Sequence, residues 1–246
     1  MKLRIKFRKY GPIRFIGHLD VMRFFQKAIR RAQLDVAYTQ GFSPHQIMSF
    51  AAPLGVGLES NGEYMDIEVH SLISCEDVRN RLNAVSAPGI EIVSVKILPE
   101  EAGNAMASVA AASYTVRFRE GRGPHFEVAS ALEAFLSTEE IWYTKESKKG
   151  SRQVDLKPGI YEICWQENAF HMLVDASSAG NIKPIQIVEA LFAQQNETLL
   201  ENALLVTRED TFTDIGKDGS RKLVSLDHIG ICDIGKENYE SKDCNQ

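Results

Sequence analysis

The sequence predicts an α+β protein made of two tandem ferredoxin-like domains, each ordered βαββαβ, and three observations lead to that expectation. Segments that alternate apolar and charged residues are interleaved with segments whose apolar residues recur every three or four positions. The succession strand, helix, strand, strand, helix, strand is met twice along the 246 residues. An alanine-rich stretch, EEAGNAMASVAAAS, lies between the two occurrences. The expected division is 1–101 for the first domain, 113–211 for the second, and 212–246 for a mainly polar C-terminal tail. The repeat is one of element order only, because the two halves show no residue-level similarity.

In the first half, KLRIKFR puts Leu3, Ile5 and Phe7 on one face and Lys2, Arg4, Lys6 and Arg8 on the other, the pattern of a half-buried strand. After the Gly11-Pro12 turn, Met22, Phe25, Ile29 and Ala32 recur at helical spacing. Asp20 favours the N-terminal end of this helix, and Arg30 and Arg31 favour its C-terminal end. A strand near 46–51 and the alternating EYMDIEV, joined by the glycine-rich PLGVGLESNG, are expected to pair as a hairpin. Ser74, followed by Glu76 and Asp77, opens a short helix, and GIEIVSVKIL closes the unit as a strand before Pro99.

The second half supplies SYTVRFR as a strand and HFEVASALEAFL as a helix. EIWYTKES and the stretch 160–176 read as strands, KPIQIVEALFAQ as a helix with Pro184 in its first turn, and NALLVTRED as the last strand.

Composition narrows the function classes. The chain is 44% hydrophobic and 25% charged, with no apolar run long enough to span a membrane and no uninterrupted apolar region after its basic N-terminus. The expectation is a protein without a membrane anchor or signal peptide. Cys75, Cys164, Cys232 and Cys244 are dispersed, so no disulfide, structural zinc or cofactor is expected, and a reducing cytoplasm is the expected compartment. There is no phosphate-binding GxxxxGK[ST], no dinucleotide fingerprint and no nucleophile elbow.

Charge is distributed unevenly. Residues 1–50 hold ten lysines and arginines against Asp20 and Asp35, within a chain of net charge −5. The strand basics would stand beside Tyr64, Asp66, Glu68 and His70 on the open face of a ferredoxin-like sheet, so cross-strand pairing explains them better than RNA contact does. The first helix differs, because Arg23, Lys27, Arg30 and Arg31 share its polar face and no acid occurs between Val21 and Leu34. That stripe is either a solvated face or a phosphate contact, with Arg14 beside it. Lys145, Lys148, Lys149, Arg152 and Lys157, in TKESKKGSRQVDLKPG, form a second basic group that reads either as the same theme or as a solvated hairpin loop.

The loop YTQGFSPHQ carries more chemistry than a connection requires. As a recognition element, Phe42 would offer a stacking face and His45 a hydrogen bond, with Pro44 limiting the entropy of the free loop; the alternative is a well-packed corner. His18, Asp20 and His45 are also the candidates for metal-independent RNA cleavage, although a histidine at a helix start commonly serves in capping or packing.

The residues GPIRFIGHLDVMRFFQKAIRRA and YTQGFSPHQIMSFAAPLGVGLESNGEYMDIEV resemble the N-terminal signature of a bacterial family fused to, or encoded beside, radical SAM proteins. The resemblance is strongest over residues 7–69 and continues through SRQVDLKPGI and IKPIQIVEAL. It implies genomic company with radical SAM enzymes and RNA-processing genes and implies no reaction. With no CxxxCxxC motif, the chain would be the linked protein and not the radical enzyme. The tandem layout is also similar to that of CRISPR repeat endoribonucleases, a likeness of fold alone. The expected function is therefore an RNA-binding adaptor for a radical SAM enzyme or RNA-maturation machinery. The alternatives are a protein-only adaptor that docks its radical SAM partner with the same stripe, and an endoribonuclease using His18 and His45.

Overall fold

The computed structural model describes residues 1–147 and 150–232. Among them the chain is α+β, with mostly antiparallel strands and four α-helices. It divides into two compact units, one of Met1–Ser108 with the residues from Ile215 on, the other of Val109–Asp214.

The first unit runs β1 (Lys2–Lys9), a 3-10 turn (Gly11–Phe15), α1 (His18–Arg31), β2 (Met48–Phe50), β3 (Glu59–Glu68), α2 (Cys75–Ala84) and β4 (Ile90–Ile97). β1 lies between β3 and β4, antiparallel to both. β2 pairs with the far end of β3, setting Met48 opposite Ile67 and Phe50 opposite Met65, which is the expected hairpin. β3 begins at Glu59, so ESNG, read as the end of a glycine-rich link, is strand instead.

The two periodicities of the sequence meet in the core of this unit. Leu3, Ile5 and Phe7 from β1, with Met65 and Ile67 from β3, pack against Val21, Phe25, Ala28 and Ile29 of α1 and Val78 and Leu82 of α2. Phe7 and Phe25 meet edge to face at 4.7 Å, an arrangement that adds to their area burial. Ile92 and Val95, three apart on β4, both reach this core because the register shifts between Lys6 and Phe7. α2 is capped as its sequence indicates, with Ser74 Oγ accepting from Asp77 N at 3.0 Å.

The second unit runs β5 (Ala111–Phe118), α3 (Val128–Ser137), β6 (Trp142–Ser147), β7 (Gly150–Asp155), β8 (Ile160–Gln166), β9 (Ala169–Asp175), α4 (Pro184–Gln194) and β10 (Leu204–Asp214). Its sheet is ordered β10-β5-β9-β8, all antiparallel. EIWYTKES is not a strand of that sheet: β6 pairs with β7 in a two-stranded ribbon of its own. The stretch 160–175 instead supplies both β8 and β9. Glu167 and Asn168 both take positive φ, the conformation of a tight two-residue hairpin turn, without the glycine that would have flagged it.

The segment expected to be a polar tail is ordered as far as it is described. β10 extends to Asp214, and β11 (Leu223–Ser225) leads to a 3-10 turn at Leu226–His228 in which Leu226 is fully buried. Tyr64 Oη lies 3.0 Å from Ser225 Oγ, Ser94 bonds Asp227, and Ile231 bridges to Ile97. Gly230, at φ +108°, brings its backbone so close to the Ile97 carbonyl that a Cβ would sit 2.5 Å from that oxygen. Buried Leu226, the Ser225 and Asp227 hydrogen bonds and the backbone bridge at Ile231 thus dock a segment that is polar on average.

Candidate nucleic-acid interface

Two of the four basic residues on the face of β1, Arg4 and Arg8, are paired with acids, and the face is in part covered. Arg4, only 1% exposed, makes a bidentate pair with Asp66, Nε to Oδ1 and Nη2 to Oδ2 both at 2.9 Å, and its Nη2 also reaches the Gly103 carbonyl at 3.4 Å. Lys6 lies over the Tyr64 ring, and Arg8 pairs with Glu91 at 3.0 Å. The expected cross-strand pairing is present, but at Arg4, Tyr64 and Asp66 the face is buried and not open.

The Tyr38–Gln46 loop is built on a narrow neck. Ala37 N donates to Glu68 O at 2.7 Å, Ile47 N to Ala37 O at 2.9 Å and Thr39 N to His45 O at 2.9 Å, and Tyr38 and Gln46 form a bridge. Thr39 Oγ1 accepts from His45 N at 3.1 Å and lies 3.1 Å from His45 Nδ1. The Ser43 carbonyl lies 3.4 Å from the same ring nitrogen, so the imidazole is held by its own loop. Gln46, 4% exposed, ties the neck to α1 through Nε2 to Gln26 O at 3.3 Å, while its Oε1 has no hydrogen-bond partner. Beyond this neck the tip from Gln40 to His45 is exposed throughout, and Phe42 is fully so. The packed-corner alternative therefore does not describe Phe42.

The cations around the loop differ in availability. Arg14 is engaged by Glu59 at 2.9 Å, which also accepts from Gly11 N, and its guanidinium lies 4.9 Å from the Phe15 ring. Arg23 pairs with Asp20 at 3.3 Å, one residue outside the acid-free window, so the stripe is not wholly unneutralised. Arg31 donates to Val85 O at 3.0 Å, at the C-terminal end of α2. Lys27 and Arg30 are exposed and have no ion pair among the described residues.

His18 and His45 are not brought together by any described contact. The His18 ring packs edge-on against Phe50 at 5.1 Å and borders a small hollow with Lys9, Glu63, Pro53 and Leu54. Lys9, 2% exposed, donates to Ile16 O at 2.7 Å and so anchors the approach to α1. Burial pulls its ammonium below the ordinary lysine range, with nearby Glu63 opposing that shift. Neither residue was singled out from sequence, although the pattern holds them: Lys9 continues the inward series 3, 5, 7, and Glu63 precedes the inward 65, 67, 69.

In the second unit Arg152 is exposed on β7 opposite Lys145. Lys148 and Lys149 lie outside the described residues. Among the described residues Cys75, Cys164 and Cys232 form no disulfide, and Cys244 lies outside the described residues. Among the described residues no group of three metal-ligating side chains occurs, and no helix is long and apolar enough to cross a membrane.

Residues 2–184 match the model of a family described as an uncharacterized protein conserved in bacteria (DUF2344). No curated protein matches the sequence. Among solved structures, a chain from the crystal structure of a Cbf5-Nop10-Gar1 complex is similar at 11% identity and a TM-score of 0.45, over 85% of this chain and 48% of that one. This chain thus spans about half the length of that relative.

Proposed function

The chain belongs to this bacterial family, and we propose that it is an RNA-binding adaptor working with a radical SAM enzyme or with RNA-maturation machinery. The observation that carries the reading is Phe42. An aromatic ring held fully in solvent gains nothing for folding, yet its loop is fixed by a hydrogen-bonded neck and tied to α1. Such a ring offers a stacking platform for an unpaired base, and the exposed His45 imidazole offers a hydrogen bond beside it. Lys27 and Arg30 of α1, without an ion pair among the described residues, would meet the phosphates. The radical SAM partner rests on the sequence resemblance over residues 7–69, and the cytoplasm is the compartment this reading takes.

For the fold, the reading treats both units as ferredoxin-like. Counting the four sheet strands of each unit in chain order, the first unit pairs fourth with first, first with third and third with second, and so does the second unit, with β6 and β7 as an insertion. The nuclease alternative lacks a contact that would set His18 and His45 on one phosphate.

The test is direct. Full-length protein freed of nucleic acid by a high-salt wash is titrated into labelled single-stranded RNA of mixed sequence at about 0.1 M salt, where screening extends to roughly 10 Å. Saturable binding is expected. Its absence overturns the proposal.

A further inference from the structure

The β6–β7 ribbon places two like charges where its own stability would exclude them. The register sets Lys145 directly opposite Arg152, so both side chains leave the same face of the ribbon. Both are exposed, and neither has an ion pair among the described residues. Glu146, the nearest acid in sequence, is opposite Ser151 and points to the other face. Opposed like charges destabilise a strand pair, and a two-stranded ribbon is marginal by itself.

The base of the ribbon is nevertheless well anchored. Tyr143 Oη donates to Glu189 Oε2 at 2.7 Å, Leu156 N donates to Ile141 O at 2.8 Å, and Tyr143 and Val154 pack on the core of the second unit. The anchored end holds the two cations side by side further along the ribbon, with Cβ atoms about 5 Å apart as for any directly opposed pair. From that spacing the two long side chains can converge on one phosphodiester.

We propose that Lys145 and Arg152 form a phosphate clamp for an RNA strand, separate from the loop and α1 in the first unit. The clamp rests on the RNA-binding reading above. Bound phosphate relieves the repulsion between the two cations. A carboxylate of an acidic protein would fit the same pair of cations, and the test separates the two.

The experiment compares full-length wild type, K145Q/R152Q and the charge-preserving K145R/R152K for melting temperature and for binding to labelled single-stranded RNA across a salt series. For K145Q/R152Q the expected results are about five- to ten-fold weaker binding at low salt and a logarithmic salt slope smaller by about 0.7, the value for one single-strand phosphate contact. Its melting temperature should hold or rise, and K145R/R152K should bind like wild type. Wild-type affinity and slope in K145Q/R152Q, with K27Q/R30Q weakened, would overturn the clamp and leave the RNA reading standing; an acidic protein is then the ligand left for the pair. A lower melting temperature in K145Q/R152Q would overturn the repulsion argument. Failure of the wild type to bind RNA would remove both.

Discussion

Arg4 and Arg30 carry the same guanidinium in the same unit and end in opposite circumstances. Arg4 is among the largest fully buried side chains, held by both oxygens of Asp66, whereas Arg30 is exposed on α1 without an ion pair among the described residues. The difference follows from the elements that carry them. A strand residue has a neighbour directly across the ladder, and the register sets Asp66 opposite Arg4. A helix residue has neighbours three and four positions away, and for Arg30 these include no acid. A cation matched in register becomes part of the structure; one left unmatched stays available to a ligand.

The largest expected effect lies on the structural side of this contrast. Asp66→Ala leaves the Arg4 charge buried without its partner and should destabilise the fold by about 3–5 kcal/mol, read from chemical denaturation. The remaining folded protein should bind RNA as wild type does. Weakened binding at unchanged stability would place Arg4 and Asp66 in the interface instead.

On the ligand side, Phe42→Ala should leave the melting temperature unchanged, since no buried surface is lost. It should weaken RNA binding by about 1–3 kcal/mol if a base stacks on the ring. A fall in stability with normal affinity would return the loop to packing. The smallest effect is expected at Asp20, which pairs with Arg23 across one helical turn. Asp20→Asn frees that guanidinium and removes a negative charge near the phosphates, so affinity should rise by about 0.3–0.5 kcal/mol in titrations at low salt. Weaker binding would mean that Asp20 itself contacts the ligand.

What was legible in the sequence was local. Alternation in KLRIKFR and helical spacing in the segment after it located β1 and α1, and Ser74 marked the start of α2. What was not legible depended on residues distant in the chain. Glu59 neutralises Arg14 from 45 positions away, and only the fold brings them together. The ribbon β6–β7 and the hairpin β8–β9 draw on the same kinds of strand residues, and a Glu-Asn turn in place of a glycine turn hid which pair enters the sheet. The segment from Ile215 on reads as polar by its average, whereas Leu226 alone makes a fully buried contact. Lys9 and Glu63 stood on the inward faces of their strands throughout, but an apolar pattern draws attention to its apolar members.

The contrast between matched and unmatched cations is tested most directly by the salt dependence of RNA binding in K27Q/R30Q beside wild type. If these two side chains meet phosphates, the logarithmic slope should fall by about 1.4, at roughly 0.7 for each single-strand contact, while the melting temperature stays within experimental error of wild type. An unchanged slope, in a variant as stable as the wild type, would contradict the assignment of α1 to RNA.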